Sequence, residues 1–321
     1  MSKFEVSTLG GSVGVIDHIA EVSVVTLKNT SVLGRLVFRE VENDFQAGVG
    51  ATVNVRKPSI FTSKNLAKDA DVSNSKLDEK LIPVTLDTHA YVSTLTNTWD
   101  ETVNLENVAR QITLPQAEAV AVGDTDSIEA RIAAELKKVI SAKGTDVKDA
   151  EGKNVPKAIE HKKGESFRDT LVKLDAHMNS KKVPLVGRRL VVSPEFRSEI
   201  LMDDLFVKAD SYGNPNLIQG GGDNVDANHM GNFLGFDVYL STMVDGMTAF
   251  TREAFALALR VPVPMEGAVS SSVIDRDSGF GMRLTKAAAP SKLATQVSTD
   301  VLVGAAILDA DRCIGVKLVT A

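Results

Sequence analysis

The chain has 321 residues, of which 43% are hydrophobic and 24% charged, and its formal net charge is −6. This composition predicts a globular protein with two or three structural units of ordinary domain size. Acidic and basic residues are mixed along the whole chain. That mixture argues against a protein whose main role is to bind phosphate backbones, because such binding needs a clustered basic surface.

The sequence also indicates a reducing compartment. Its single cysteine, Cys313, excludes an internal disulfide framework and a multi-cysteine zinc site. No apolar run approaches the roughly 18 residues of a membrane span. The first residues, MSKFEVSTLGGSVGVIDHIA, lack the basic-then-apolar order of a signal peptide. We therefore expect synthesis and folding in a cytoplasm, without membrane association.

The N-terminal residues 1–35 are rich in Gly, Ser, Thr and Val and show only weak periodicity. This pattern predicts an extended arm with one short strand over residues 20–27. We expect such a terminal arm to become ordered only on a partner surface.

Two stretches with alternating apolar and polar residues follow the arm. Residues 51–61 place Val53 and Val55 on one face. Residues 81–95 place a mostly apolar set on one face, namely Ile82, Val84, Leu86, Thr88, Ala90 and Val92. Such alternation predicts half-buried strands. The segment between them is charged and almost free of apolar residues. The two strands are therefore predicted to form a projecting hairpin with a long charged tip, and loops of that length are usually functional or disordered.

One long helix is predicted over residues 114–141. Thr113 and Gln116 fit a capping box at its start, and Gly144 supplies a stop. The apolar residues that follow helical spacing are Ile128, Ile132, Leu136, Val139 and Ile140. Gly123 leaves open a helix that is broken in two.

The second half of the chain begins with an α/β pattern. It predicts a helix with an apolar stripe, a strand over 185–193 and a second helix over 194–202. The stripe consists of Phe167, Leu171, Leu174 and Met178. Residues 235–244 and 246–251 are predicted as neighbouring strands, followed by a short helix over 252–259.

Two hairpins are predicted at the C-terminal end. AVSSSVIDRDSGFGMRLTKAA turns at residues 277–279, and DVLVGAAILDADRCIGVKLVT turns near residues 309–312.

Motifs that could carry chemistry lack the structural context they need. GGSVG at residues 10–14 has the spacing of a nucleophile elbow around Ser12, but such an elbow needs a strand before it and a helix after it. The glycine-rich stretch 219–231 lacks the pattern of a phosphate-binding loop. The five histidines are scattered and offer no metal-ligand spacing. We therefore expect no catalytic residue, no cofactor and no metal site.

Several single residues are given structural interpretations. His89 is predicted to be exposed or hydrogen-bonded in its strand. Arg188 and Arg189 are expected to form ion pairs with carboxylates rather than to bind phosphate. Cys313 is expected to be a small buried residue.

The order of these parts, together with several local signatures, resembles the major capsid proteins of tailed phages, which have the Hong Kong 97-type shell fold. LDAHMNSKKVPLVGRRLVVSPEFRSEIL is similar to the family's helix–strand–helix segment, and HMGNFLGFDVYLSTMV to its strand pair. DFQAGVGATVNVRKP is similar to the entry into the family's extended loop, and STDVLVGAAILDADRCIGVKL to its closing strands. The resemblance covers about residues 40–321, and the order and spacing of the signatures make it specific.

The resemblance implies an α+β fold of the Hong Kong 97 type. Its expected parts are an N-terminal arm (1–40), an extended β-hairpin loop with its base (41–98), a peripheral domain with a long spine helix (99–145), an α/β axial domain (146–246) and the C-terminal strands of the peripheral domain (247–321). The strand-to-helix corner at Ser193 and Pro194 would then be core architecture of the axial domain, with no active site.

The resemblance also implies a function. It is that of a major capsid protein of a tailed double-stranded DNA phage, which self-assembles as hexamers and pentamers into an icosahedral head around the genome. Mixed charges at the hairpin tip suit registry between neighbouring subunits. The expected assembly contacts are therefore Lys64, Lys68, Asp69, Asp71, Lys76, Asp78, Glu79 and Lys80.

The expected partners are further copies of the chain, a separate scaffolding protein and a portal, with a decoration protein left open. The chain would enclose DNA without sequence-specific binding, would be made in the bacterial cytoplasm and would reside in the virion. Two alternatives stay open. One is an encapsulin-like nanocompartment shell of the same fold, and the other is an α/β hydrolase that uses Ser12.

Overall fold

The computed structural model describes residues 13–39, 52–57, 63, 65, 74, 80–97, 109–162, 164–202, 228–275 and 279–319. The helices are α1 (Val13–Thr30), α2 (Leu33–Leu36), α3 (Leu114–Val122), α4 (Ile128–Ile140), α5 (Phe167–Ser180) and α6 (Pro194–Met202). None of the helices in these ranges is both long and apolar enough to cross a membrane.

The strands form three sheets. The first strands are β1 (Thr52–Lys57), β2 (Lys80–Thr85), β3 (Thr88–Asn97), β4 (Ile159–Lys162), β5 (Arg188–Val192), β6 (His229–Phe233) and β7 (Phe236–Leu240). The remaining strands are β8 (Met247–Thr251), β9 (Phe255–Arg260), β10 (Val269–Ile274), β11 (Gly281–Ala289), β12 (Ala294–Ile307) and β13 (Cys313–Val319). One sheet pairs β1 with β2, one runs β10–β11–β12–β3 with β9 also paired to β12, and one runs β4–β13–β8–β5–β7–β6. The predicted α+β class is confirmed.

Helix α4 lies in the largest hydrophobic core and joins the two large sheets. The Ser127 hydroxyl caps the helix by accepting a hydrogen bond from the Ala130 N–H at 3.1 Å. The predicted apolar stripe is confirmed because its members are buried, namely Ile128, Ile132, Leu136, Val139 and Ile140. The helix packs against β12 of one sheet and β13 of the other. Gly315 of β13 permits this approach, since a Cβ there would lie 2.4 Å from the Val139 carbonyl oxygen.

The predicted single helix over 114–141 is wrong in its middle, and the alternative of a helix broken at Gly123 is confirmed. Helix α3 ends at Val122, and residues 123–127 form a turn before α4 begins. The Ser127 side chain stabilises this break because it donates to the Gly123 carbonyl at 2.7 Å while capping α4. The capping box is also absent, since Thr113 makes no capping hydrogen bond. A π-helical turn over Ala109–Thr113 leads directly into α3, so the helical segment begins upstream of Thr113.

The predicted extended arm is wrong for residues 13–39, which include α1 and α2 in place of the expected strand over 20–27. Ala20, Val24 and Leu27 recur at helical spacing and are at most 1% exposed. Helix α1 packs against β10, β11 and α3. Burial of this apolar face overrides the low helix propensity of the valines.

The predicted helix over 252–259 is also wrong. Residues Arg252–Ala254 form one 3-10 turn, and β9 follows at once. Five of the six β9 residues are buried. Such a strand reads as a continuous apolar run, which periodicity alone does not distinguish from a buried helix segment.

The predicted hairpin at residues 309–312 is wrong, whereas the hairpin of β10 and β11 is confirmed. Strand β12 lies in the five-stranded sheet and β13 in the six-stranded sheet, so the two do not pair. The turn between them is a crossing from one sheet to the other. The Asp309 carboxylate accepts from the Asp311 N–H at 3.1 Å and stabilises that crossing.

The six-stranded sheet is covered on both faces. Leu190 and Val192 of β5 pack with the apolar stripes of α5 and α6, whereas Val191 joins the core around α4. The predicted strand and the two helices around it are confirmed. Residues 235–244 and 246–251 are not neighbouring strands, because β5 lies between β7 and β8. Their connection crosses the end of β5, where the Ser241 N–H donates to the Val192 carbonyl at 3.0 Å.

Candidate assembly surface

The contact residues predicted for the hairpin tip fall outside the described residues, with the exception of Lys80. Those outside are Lys64, Lys68, Asp69, Asp71, Lys76, Asp78 and Glu79. Lys80 begins β2, where its backbone is paired with that of Lys57. Ser12 and most of the glycine-rich stretch 219–231 are outside the described residues as well. The assembly role of the tip residues therefore stays a prediction.

The base of the hairpin is described and is packed on the body of the molecule. Strands β1 and β2 are antiparallel, as predicted. Ile82 and Val84 are at most 1% exposed, and they pack against Ala256 and Ala258 of β9. The alternation in β2 thus places its apolar face against β9 of the five-stranded sheet and anchors the base of the hairpin there.

An arginine holds the turn between β2 and β3. Arg131 of α4 donates to both carboxylate oxygens of Asp87, at 2.9 and 2.8 Å, and to Glu135 at 2.6 Å. Partial burial raises the pKa of the Asp87 carboxyl, but the Arg131 hydrogen bonds outweigh this effect and leave the pKa below its ordinary value. The Asp87 carboxylate is therefore ionised near neutral pH and ties the turn to α4.

The N-terminal segment is anchored by polar contacts as well as by α1. Glu129 of α4 is 3% exposed. Its carboxylate accepts from the backbone N–H groups of Val32 and Leu33 at the start of α2. The Arg189 guanidinium of β5 donates to the Leu36 carbonyl. Residues up to 39 are thus held by α4 and by both large sheets, because Phe38 also bridges to β9.

A buried arginine fixes the loop that enters β5. The Arg188 side chain is 1% exposed and forms an ion pair with Asp175 at 2.7 Å, as predicted. It also donates to Asn179 at 2.7 Å and to the carbonyls of Val183 and Pro184 at 2.6 and 2.9 Å. The predicted ion pair of Arg189 is not found among the described residues, where its guanidinium donates to the Leu36 carbonyl.

A hydroxyl, an imidazole and a carboxylate meet beside β4. His161 Nδ1 lies 2.7 Å from Thr170 Oγ1, and Nε2 lies 2.8 Å from Glu199 Oε2. This order of groups occurs in nucleophilic catalysis. Here both His161 and Thr170 are 0% exposed, so no substrate reaches the hydroxyl. The three residues join β4, α5 and α6 and have a structural role in this arrangement.

Strand β3 carries an exposed surface at the edge of the five-stranded sheet. Tyr91 is 68% exposed and Leu95 is 45% exposed. The strand is tied to its neighbours by Asp300, which lies 2.7 Å from His89 Nε2 and accepts from Arg283 at 2.9 and 2.6 Å. The prediction that His89 is exposed or hydrogen-bonded is confirmed.

Comparison with solved structures finds phage particles. A capsid structure of the cyanophage P-SCSP1u matches with a TM-score of 0.60 at 10% identity, over 91% of this chain and 89% of that chain. The mature capsid of bacteriophage PhiM1 matches with a TM-score of 0.57 at 12% identity, over 90% and 87% of the two chains. The chain has the fold of phage capsid proteins. A chain of Mycobacterium phage Che8 matches in the same way, with a TM-score of 0.56 at 18% identity over 89% and 90%.

The resemblance to the phage capsid fold inferred from sequence signatures is therefore confirmed. No protein-family model and no curated protein sequence matches the chain. The agreement with capsid structures extends over nearly the full length of both chains, so it concerns the whole order of elements and not one shared motif.

Two features of this capsid fold were missed by sequence reasoning. Glu129 lies on the buried face of α4 beside Ile128, and a carboxylate among apolar positions is a signal that it has a buried partner. Tyr91 and Leu95 alternate with the apolar positions of β3 that were noticed. No role was predicted for their face, although two large side chains flanking Ser93 make it partly hydrophobic.

Proposed function

We propose that the chain is the major capsid protein of a tailed double-stranded DNA phage. In this proposal it assembles as hexamers and pentamers into an icosahedral head that encloses the genome, and it has no enzymatic role. The observation that carries the proposal is the match to capsid structures over about nine-tenths of the chain. The mixed distribution of charge and the net charge of −6 support it, because a shell protein must enclose DNA without binding it tightly.

The Hong Kong 97-type parts map onto the described elements as follows. We assign α4 and the five-stranded sheet to the peripheral domain, with α4 as the shortened spine helix. We assign the six-stranded sheet with α5 and α6 to the axial domain, which adds β8 and β13 to residues 146–246. The β1–β2 hairpin is the base of the extended loop, and the charged residues between the two strands contact a neighbouring subunit.

The proposal also names partners. Copies of the chain contact one another laterally, a separate scaffolding protein directs the shell size, and a portal occupies one vertex. The site of synthesis is the bacterial cytoplasm and the final location is the virion.

Negative-stain electron microscopy of the purified protein, with light scattering on the same sample, tests the proposal. Hexamers, six-fold sheets or shells of irregular size are the expected result for the chain without its scaffolding protein. Closed shells of uniform size that form from this chain alone would instead favour the nanocompartment shell. A particle that stays monomeric or dimeric when concentrated would contradict a shell function.

A further inference from the structure

Strand β3 is an edge strand without the features that usually protect such an edge. Its ten residues, THAYVSTLTN, contain no charged residue and no proline. Its pairing with β12 is uninterrupted from Thr88 opposite Val303 to Asn97 opposite Ala294. Within the described part of the chain, no strand pairs with its other side. Main-chain donors and acceptors on that side are available to a further strand over residues 88–96.

Several other edge strands among the described residues carry protective features. Strand β4 has four residues, two of them charged. Strand β6 has a bulge between His229 and Gly231. Strand β2 carries Lys80 and Pro83. Charge, proline, bulges and covering helices are the means by which proteins prevent edge pairing. Helix α3 packs on one face of β3, but the strand has no charged residue, proline or bulge, so its edge is open to pairing.

The residues of β3 are arranged almost symmetrically about Ser93. Tyr91 and Leu95, two positions away on either side, are apolar and exposed. Val92 and Thr94, one position away, are both β-branched. When a strand pairs with its own copy in the antiparallel sense, residues equidistant from the centre face each other. A charged residue at the centre would lie opposite the same charge of the other copy, and this repulsion would destabilise the pairing. The composition of β3 fits a strand that pairs with itself.

We propose that β3 pairs antiparallel with β3 of a second copy of this chain, about a two-fold axis at Ser93. Tyr91 then lies opposite the partner's Leu95 on both sides of the axis, which forms two apolar cross-strand pairs. The main-chain groups of the two edges satisfy each other, and the five-stranded sheets of the two copies become one continuous sheet. The interface is isologous, as two-fold contacts require.

This inference rests on the proposed shell function, which it deepens by naming a contact between neighbouring subunits. The charged hairpin tip was the contact expected from sequence. The β3 edge is a second contact on the same chain, built from backbone and apolar groups instead of charges.

Disulfide trapping tests both the contact and its register. Residues directly opposite in an antiparallel pair have Cα atoms about 4.5–5.5 Å apart, which is within the range of a disulfide. Ser93→Cys is therefore expected to link two subunits under mild oxidation. Tyr91→Cys alone should not, because the two copies of residue 91 lie about four residues, or ~13 Å, apart along the strands. A mixture of Tyr91→Cys and Leu95→Cys subunits should form disulfide-linked dimers, because residue 91 of one copy lies opposite residue 95 of the other.

Two controls accompany these variants. Val172→Cys on α5 replaces another exposed apolar residue, away from the proposed interface, and should give no dimer. The native Cys313 is 1% exposed and does not compete for linkage in the folded protein. Equal linkage of Ser93→Cys and Tyr91→Cys would overturn the register, and shells in which neither variant links would overturn the contact.

Amide exchange on the unmodified protein gives an independent measurement. Peptides covering residues 88–96 are expected to exchange about tenfold more slowly in the assembly than in isolated subunits. Peptides over 294–300 of β12, which are already paired on both sides, should not change. Shells with unchanged exchange at 88–96 would refute the inference and leave the shell function intact. Linked dimers that never form shells would refute the shell function and leave the strand pairing intact.

Discussion

The Glu129 side chain allows a direct test of how the N-terminal segment is attached. Removing its carboxylate by Glu129→Ala leaves the N–H groups of Val32 and Leu33 without an acceptor, and these residues are at most 6% exposed. An unsatisfied buried amide costs about 1–3 kcal/mol. We therefore expect the free energy of unfolding to fall by about 2–6 kcal/mol, the sum over two amides. Glu129→Gln keeps an acceptor oxygen and should lose much less.

The same residue predicts a pH dependence. Burial raises the pKa of Glu129 above its ordinary value of 4.5, and this effect exceeds that of the hydrogen bonds from Leu33 and Val32, which favour ionisation. An acid with a raised pKa in the folded state holds its proton more tightly when folded. Its contribution to stability is complete below the unfolded pKa and is lost as the pH rises through the folded pKa. Each unit of the difference corresponds to about 1.4 kcal/mol.

Urea unfolding of unassembled subunits, followed by circular dichroism, measures this contribution. The free energy of unfolding of wild type minus that of Glu129→Gln should decrease from pH 4.5 upward. Taking this difference cancels the titration of the other groups. Glu118→Gln, an exposed position on α3, is the matched control and should leave stability within about 0.5 kcal/mol at every pH. The reasoning would be refuted if the free energy of unfolding of wild type minus that of Glu129→Gln stayed constant or increased with pH.

Two further substitutions test buried contacts of the large sheets. Arg188→Ala removes a buried guanidinium and takes this donor from the buried Val183 carbonyl, whereas the Asp175 carboxylate is 35% exposed and stays hydrated, so we expect a loss of about 1–3 kcal/mol in urea unfolding. Arg188→Lys should recover part of it, and a loss below about 1 kcal/mol in the alanine variant would contradict the role of this side chain. Gly304→Ala places a Cβ 2.2 Å from the Thr85 carbonyl oxygen. It should lower the melting temperature and loosen the hairpin base, seen as faster amide exchange in β2, whereas unchanged exchange would show that β2 accommodates the methyl group.

The parts of the fold that could be predicted from sequence are those whose apolar residues repeat with a single clear period, either that of a helix or that of a strand. The stripe from Ile128 to Ile140 and the alternation at Ile82 and Val84 each have one buried face, so period and burial coincide. The strand over 185–193 was found because turn residues bound its apolar run. The order of these elements, together with the local sequence signatures, carried the resemblance to the capsid fold.

The errors have a common physical origin in tertiary burial. Helix α1 is rich in valine and was interpreted as extended, yet Val24 and Leu27 are buried against the five-stranded sheet. Strand β9 was interpreted as a helix because all its faces are apolar. The connection between β12 and β13 has the residues of a hairpin turn, but its ends belong to different sheets. In each case the partner that decides the structure is distant in the sequence, where local pattern carries no information about it.

The two kinds of predicted contact, the charged hairpin tip and the β3 edge, respond differently to salt. Exposed ion pairs contribute little affinity and are screened, with a Debye length of about 10 Å at 0.1 M and 3 Å at 1 M salt. Backbone pairing and the Tyr91 and Leu95 contacts do not depend on net charge. If β3 pairing supplies most of the affinity, the protein concentration at the midpoint of assembly, measured by light scattering, should shift by less than about threefold between these salt concentrations. A much larger rise at high salt would assign the affinity to the charged tip. If Ser93→Cys still linked two copies in that case, β3 pairing would set the arrangement of the subunits but contribute little to the affinity between them.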